Sequence, residues 1–117
     1  MATNIQVAVR VRPFLAFEAG SKSCIEVLRT EEDEVANSPS NQGKSVRIQS
    51  HHGNNKDGHT FTFDRCFGGG STQVELYQGV VVPLLKSCLE GYNATTLAYG
   101  QTGAGELLLL SACGFFR

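Results

Sequence analysis

The sequence has little of what would mark several large classes of protein. Its 117 residues carry 10 lysines and arginines against 11 aspartates and glutamates, a formal net charge of −1. This balance argues against a nucleic-acid partner or an acidic lipid surface. No basic segment followed by an apolar block opens the chain, so we expect no signal peptide. The longest uncharged apolar run, residues 107–116, is about half the length that spans a bilayer, so we expect no membrane partner.

Cysteines and histidines are sparse and scattered, without C-x-x-C pairs or histidines at ligand spacing. The four cysteines lie far apart, at Cys24, Cys66, Cys88 and Cys113. This spacing indicates neither a metal site nor a disulfide framework, and favours buried or partly buried thiols in a cytosolic protein. His51 and His52 are adjacent, and we interpret them as solvated side chains rather than metal ligands.

Alternation of apolar and polar residues predicts two good strands. The stretch "NIQVAVRVRP" places four apolar residues on one face of a strand, namely Ile5, Val7, Val9 and Val11. Pro13 ends this strand. The stretch "HTFTFDRCF", residues 59–67, alternates again, with Phe61 and Phe63 on one face. Shorter strands are predicted over residues 24–28 and 45–49, and the polar chain around them reads as loops.

A helix is predicted from Thr72 to Glu90. Thr72 and Glu75 stand at capping-box spacing, and Gly91 is a natural C-terminal stop. Pro83 interrupts the pattern, so we expect a kink there. One apolar stripe recurs at helical spacing through Val74, Tyr77, Val81, Leu84, Leu85 and Cys88.

A buried strand is predicted over residues 95–99, "TTLAY", because the segment is short, β-prone and uncharged. The order is therefore strands, helix, strand and glycine loop. This order predicts an α/β fold in which crossover connections join the strands of a sheet.

The glycine loop matches half of a phosphate-binding motif. Gly100 and Gly105 have the spacing of the two glycines in G-x-x-x-x-G-K-[ST], and they follow a predicted strand. Glu106 stands where that motif has lysine, and Leu107 stands where it has the hydroxyl residue that binds magnesium. Glycine-rich turns are common, so the loop alone is a weak signal.

Three segments in the same order give the loop its context. "VAVRVRP", "FTFDRCF" and "GYNATTLAYGQTGAG" together resemble the first part of a kinesin motor domain, and are most similar to the chromokinesin-like branch. The resemblance implies that residues 1–105 are an incomplete, N-terminal part of a P-loop NTPase motor domain, with a mixed central sheet flanked by helices. Residues 106–117 read as an unrelated apolar tail, which we interpret as the product of an altered frame or splice junction rather than a continuing helix.

The resemblance also implies a nucleotide site. Arg10 and Pro13 fall where kinesins contact the adenine, and the remaining nucleotide-binding residues follow in the loop: Tyr99, Gly100, Gln101, Thr102, Gly103, Ala104 and Gly105. No catalytic residue or protein metal ligand is predicted. A purely structural interpretation makes Arg10 an edge residue with a packed stem, and Tyr99 a core residue.

Function follows from the same likeness. Kinesins are ATP-driven, magnesium-dependent motors of the cytoplasmic cytoskeleton whose partner is the microtubule. Because Glu106 and Leu107 replace the lysine and the hydroxyl residue, we expect weak or absent ATP binding, and neither ATPase activity nor motility, in this chain. The family's switch segments and main microtubule-binding elements would lie downstream. The alternatives are a non-catalytic interaction fragment, a truncated isoform or a gene-model product.

Overall fold

The computed structural model describes residues 5–31, 42–49, 58–101 and 104. The chain divides into two compact units, Met1–Gly70 and Ser71–Arg117. The first unit contains a mixed four-stranded sheet, and the second contains a helix, which confirms the predicted α/β class. The strands are β1 (Ala8–Arg10), β2 (Ile25–Leu28), β3 (Gln42–Ile48) and β4 (His59–Phe67). The helix consists of α1 (Gln73–Leu76), a π turn (Tyr77–Val81) and α2 (Val82–Leu89).

The sheet has the strand order β1-β4-β3-β2. β1 lies parallel to β4, whereas β3 is antiparallel to both of its neighbours, β2 and β4. The core of the unit lies where these strands meet: Cys66 and Phe67 are 0% exposed and Val46 is 5% exposed. β4 has the predicted bounds, because its alternating β-prone residues carry a strong local signal.

β1 is shorter than the alternation predicts. Only Ala8–Arg10 pair with β4, opposite Arg65, Cys66 and Phe67. Just before β1, the amide of Val7 donates to a carboxylate oxygen of Asp64 at 2.7 Å, so a side chain replaces the next ladder carbonyl. Ile5, the first residue that the structure describes, is 91% exposed.

β3 is longer than predicted, because it begins at Gln42 rather than Ser45. Gln42 and Gly43 pair with Phe67 and Cys66 of β4, and an irregularity of register follows between Gly43 and Ser45. Gly43 has no room for a side chain, since a Cβ there would overlap the carbonyl oxygen of Leu28. Glycine is a poor strand former, which is why the pattern alone reads this start as loop.

Both ends of the helix follow the predicted signals. The Thr72 hydroxyl accepts from the Glu75 amide at 3.2 Å, and the Glu75 carboxylate accepts from the Thr72 amide at 2.6 Å, which confirms the capping box. At the other end, Tyr92 N–H donates to Ser87 O and Gly91 N–H to Cys88 O, each at 3.0 Å. These two bonds, with Gly91 at φ +94°, form a Schellman termination.

The centre of the helix differs from the prediction. A π turn over Tyr77–Val81 precedes Pro83, which therefore stands in the first turn of α2, where proline is tolerated. A π turn takes up one additional residue, so it shifts the apolar stripe. Leu76 and Val81, five residues apart, are buried, whereas Val74 is 61% exposed and Cys88 is exposed. The predicted stripe is wrong at those last two positions.

The strand predicted over residues 95–99 is wrong. Residues 92–100 form no strand, and Leu97 and Tyr99 are 83% and 89% exposed. A β-prone segment becomes a strand only when a neighbour accepts its backbone hydrogen bonds, and none of β1–β4 pairs with it.

The cysteines and the lengths of the helices can be compared with the sequence predictions. Cys66 is buried as predicted, whereas Cys24 and Cys88 are exposed free thiols, against the expectation of partial burial. Within the described ranges, no helix is long and apolar enough to cross a membrane.

Candidate nucleotide-binding site

The predicted adenine contacts lie at the carboxyl end of β1. Arg10 is the last residue of β1, half-buried and paired with Phe67 of the parallel strand β4. The amide of Val11 extends this ladder by donating to Phe67 O at 2.8 Å. Pro13 follows and is exposed. Ligands of α/β sheets bind beyond the carboxyl ends of parallel strands, so Arg10 and Pro13 stand at the edge where a ligand is expected.

The chain at Pro13 packs against the turn that follows β4. A Cβ built on Gly69 would lie 3.6 Å from the Cα of Pro13 and 3.8 Å from the carbonyl oxygen of Arg12. These are ordinary van der Waals distances, and the backbone of Pro13 therefore rests beside Gly69 rather than extending freely into solvent.

Beside Pro13 lies an ion pair, formed by Arg12 and Glu18, that the sequence does not predict. The two Nη atoms of Arg12 donate to the two carboxylate oxygens of Glu18, at 2.7 and 2.8 Å. Nη1 of Arg12 also donates to the carbonyl oxygen of Pro13 at 3.2 Å, and Glu18 accepts from the Leu15 amide at 2.8 Å. These hydrogen bonds connect the side chains of Arg12 and Glu18 with each other, with the Pro13 carbonyl and with the Leu15 amide.

This arrangement shifts the ionisation of both groups. The hydrogen bonds from Arg12 and from the Leu15 amide lower the pKa of Glu18 to about 2, against an opposing effect of desolvation. The hydrogen bond to Glu18 raises the pKa of Arg12 above its usual value. Glu18 therefore stays ionised, and the pair stays formed, through the whole physiological pH range.

A sequence signal for this pair exists, although it is faint. Glu18 is the third residue of the turn Ala16–Glu18 counted from Leu15, and its carboxylate bonds back to the Leu15 amide. That is half of a capping box; the other half is missing because leucine offers no side-chain acceptor. The spacing of Arg12 and Glu18 carries no periodicity, so only the folded turn brings them together.

The predicted phosphate loop lies in the second unit. Tyr99, Gly100 and Gln101 are exposed, and Tyr99 is therefore not the core residue of the structural interpretation. The amide of Ala104 donates to the carbonyl oxygen of Gln101 at 2.9 Å. Thr102, Gly103 and Gly105 lie outside the described residues, as do Glu106 and Leu107.

The sequence predicts no metal site at the histidines. His59 is an exposed residue at the start of β4, and His51 and His52 lie outside the described residues. In the part of the chain that the structure describes, no three side chains of His, Cys, Asp or Glu stand close enough to hold a metal ion.

Comparison with known proteins identifies the family. Residues 10–107 match the kinesin motor domain. The kinesin-like protein KIF11-B of Xenopus laevis is 42% identical over 106 residues, which cover 88% of this chain and 9% of that protein. The mouse kinesin-like protein KIF27 is 43% identical over 102 residues, 87% of this chain and 6% of that protein. The rice kinesin-like protein KIN-14C is 35% identical over 114 residues, 97% of this chain and 10% of that protein.

The chain thus spans about a tenth of the length of the relatives it matches. The more specific likeness to the chromokinesin-like branch stays a prediction, as does the boundary after Gly105. With a family match that covers most of its residues, the chain belongs to the kinesin motor domain family.

Proposed function

We propose that this chain carries the adenine edge and the first half of the phosphate loop of an ATP-dependent, microtubule-based motor. Arg10 and Pro13 would contact the base, and the loop from Tyr99 to Gly105 would approach the phosphates. The kinesin match over residues 10–107 supports this role, as does the position of Arg10 at the carboxyl end of a strand in a parallel pair. Microtubules are the proposed partner, and the cytoplasmic cytoskeleton is the proposed location.

We further propose that this polypeptide binds ATP weakly and does not turn it over. This proposal depends on one observation, that Glu106 stands in the place of the phosphate-loop lysine. A charge about 4 Å from a phosphate is worth ~4 kcal/mol at an effective dielectric near 20. Losing half of that attraction weakens binding roughly thirtyfold, and a helix N-terminus returns only ~0.3–1 kcal/mol.

Magnesium does not fit the residues present. Its ligand in such loops is a serine or threonine hydroxyl, and Leu107, at the corresponding position, has no oxygen in its side chain. We therefore assign no magnesium-dependent step to this chain, and we expect its affinity for ATP to be insensitive to magnesium.

Nucleotide binding and turnover can be measured on the whole chain. We expect NMR titration of the ¹⁵N-labelled protein with ATP to give weak, magnesium-independent shifts at Gln101 and Ala104. We expect phosphate release in the presence of microtubules to equal that of a heat-denatured control. Tight magnesium-dependent binding, or microtubule-stimulated release above the control, would refute the proposed inactivity.

A restored variant tests the reason for the weak binding. The double change Glu106→Lys and Leu107→Thr returns the cation and the hydroxyl ligand. We expect it to bind ATP roughly thirtyfold more tightly than the unaltered chain, and to gain a dependence on magnesium. An unchanged affinity would show that the two replaced residues do not limit binding.

A second candidate, a non-catalytic interaction fragment, is favoured by the exposed apolar side chains. Leu97 and Tyr99, two residues apart in the second unit, are 83% and 89% exposed, and contiguous apolar groups on a surface often mark sites of association. A stable monomer without any ATP-induced NMR shift, which binds another protein through these residues, would favour this role over the nucleotide site.

A further inference from the structure

The loop that follows β1 is closed upon itself by one pair of side chains. Arg12 and Glu18 form a two-pronged ion pair at 2.7 and 2.8 Å, with side chains that are 36% and 25% exposed. Pro13 lies inside the closed segment and faces solvent. Arg–carboxylate pairs with two parallel hydrogen bonds fix direction as well as distance, so this pair holds the shape of the segment.

The same pair fixes the orientation of Pro13. The ring of proline sets its φ angle, and ψ is the remaining backbone freedom. The direction of the carbonyl depends on ψ, and that carbonyl accepts from Nη1 of Arg12 at 3.2 Å. The turn at Gly69 supports the Cα of Pro13 from another side. The exposed ring is therefore a rigid apolar surface, held in place by Arg12, which Glu18 holds in turn.

The contribution of the Arg12–Glu18 pair to the stability of the fold does not by itself explain the pair. Ion pairs exposed to this degree contribute little to folding, because water screens them. Preorganisation of a binding surface is a stronger reason, because a flat ligand gains affinity when the surface it contacts needs no ordering.

We propose that Glu18 is a positioning residue, which acts through Arg12 to hold the Pro13 ring against the planar base of an adenine nucleotide. This inference rests on the proposed function, in which Arg10 and Pro13 face the base. In this proposal the Glu18 carboxylate acts without contacting the nucleotide, and it raises the affinity for the base. We expect its effect to fall on the binding of the base, because the Pro13 ring is the surface that it positions.

The test compares a ligand that has the base with one that lacks it. The whole ¹⁵N-labelled chain is titrated with ATP and, separately, with inorganic tripolyphosphate, and amide shifts are followed at Phe14, Leu15, Gln101 and Ala104. In the Glu18→Gln variant, which loses the charge but keeps the shape, we expect ATP affinity to fall about three- to tenfold. Tripolyphosphate affinity should stay within about twofold of its unaltered value, because no base is present to be positioned.

Two other variants complete the comparison. Arg12→Lys keeps a positive charge but loses the two-pronged geometry, and should weaken ATP binding in the same selective way. Glu26→Gln removes an exposed carboxylate from β2 in the same unit, and should leave both affinities unchanged. If Glu18→Gln loses the dispersed amide shifts of β4 and so fails to fold, Arg12→Lys provides the measurement.

The outcomes separate the two proposals. An equal loss of affinity for both ligands, or no loss for ATP, overturns the positioning role while the nucleotide site stands. If ATP shifts no amide of the unaltered chain, the proposed nucleotide site fails and the positioning role fails with it. A selective loss for ATP in both Glu18→Gln and Arg12→Lys supports the positioning role.

Discussion

A carboxylate oxygen of Asp64 accepts a hydrogen bond of 2.7 Å from the backbone amide of Val7, one residue before β1 begins. The Asp64 amide in turn donates to Val7 O at 3.1 Å. A side chain of β4 thus continues the ladder where the backbone carbonyls of the parallel pair no longer align. Asp64→Ala removes the acceptor, and we expect it to lower the free energy of unfolding by about 1 kcal/mol.

The measurement for Asp64→Ala is urea unfolding together with amide exchange at Val7. Asp64→Asn keeps one oxygen in place and is the matched control, so its loss of stability should be smaller. A Val7 amide that exchanges equally fast in the unaltered chain and in Asp64→Ala would contradict the assigned bond.

Gly43 tolerates no side chain in the observed backbone. A Cβ there would overlap the carbonyl oxygen of Leu28, so Gly43→Ala must push β3 away from β2. We expect a loss of about 1–3 kcal/mol in the free energy of unfolding. Gly20→Ala is the control, because a Cβ on Gly20 meets nothing within 4 Å, and it should change stability by less than about 0.5 kcal/mol. Equal urea midpoints for the two variants would argue against the close approach at Gly43.

The helix of the second unit ends on a conformation that favours glycine. Gly91 has φ +94°, and an alanine there would be strained by roughly 1–2 kcal/mol. We expect Gly91→Ala to lower the thermal unfolding midpoint measured by circular dichroism. Gly91→Asn should lower it less, because asparagine adopts left-handed conformations more readily than alanine. The reverse order of the two variants would contradict a left-handed C-terminal stop.

The ion pair of Arg12 and Glu18 predicts a dependence of stability on acid. The folded-state pKa of Glu18 is lowered from 4.5 to about 2. The stabilisation, which is small because water screens the exposed pair, is therefore complete above the unfolded-state pKa, and it disappears as the pH falls toward 2. The difference in unfolding free energy between the unaltered chain and Glu18→Gln should be constant above about pH 5 and shrink below it.

Urea titrations of both proteins at a series of acidic pH values provide this difference. Glu26→Gln removes a carboxylate outside the pair. Its difference in unfolding free energy from the unaltered chain should not shrink as the pH falls. A difference between Glu18→Gln and the unaltered chain that is the same at every pH would show that Glu18 titrates normally.

Local signals account for the parts of the fold that the sequence predicts well. The bounds of β4 follow from strict alternation, and both helix ends follow from Thr72, Glu75 and Gly91, because caps and stops depend on neighbouring residues. The predicted strand over residues 95–99 fails for the opposite reason, since a strand requires a partner elsewhere in the chain. The π turn before Pro83 also escapes prediction, because the spacing of the apolar stripe assumes a regular α-helix.

The candidate site divides in the same way. Arg10 ends β1 and Pro13 follows three residues later, near the strand end that the alternation and Pro13 predict, whereas their contact with adenine stays a prediction. Glu18 escapes prediction, because its partnership with Arg12 depends on a turn rather than on any sequence period.

The parallel pairing of β1 with β4 joins residues that are 57 positions apart in the chain, whereas the closing pair of β3 and β4, Ile48 and His59, is separated by only 11. On loop-closure entropy alone, the longer connection is less favourable by about 1.5 kcal/mol. Once β2, β3 and β4 have assembled, β1 needs only the short stretch of residues 11–24 to reach its place. We therefore expect β1 to fold last and to open first, with the Val11 amide losing its protection from solvent exchange before the amides of β3.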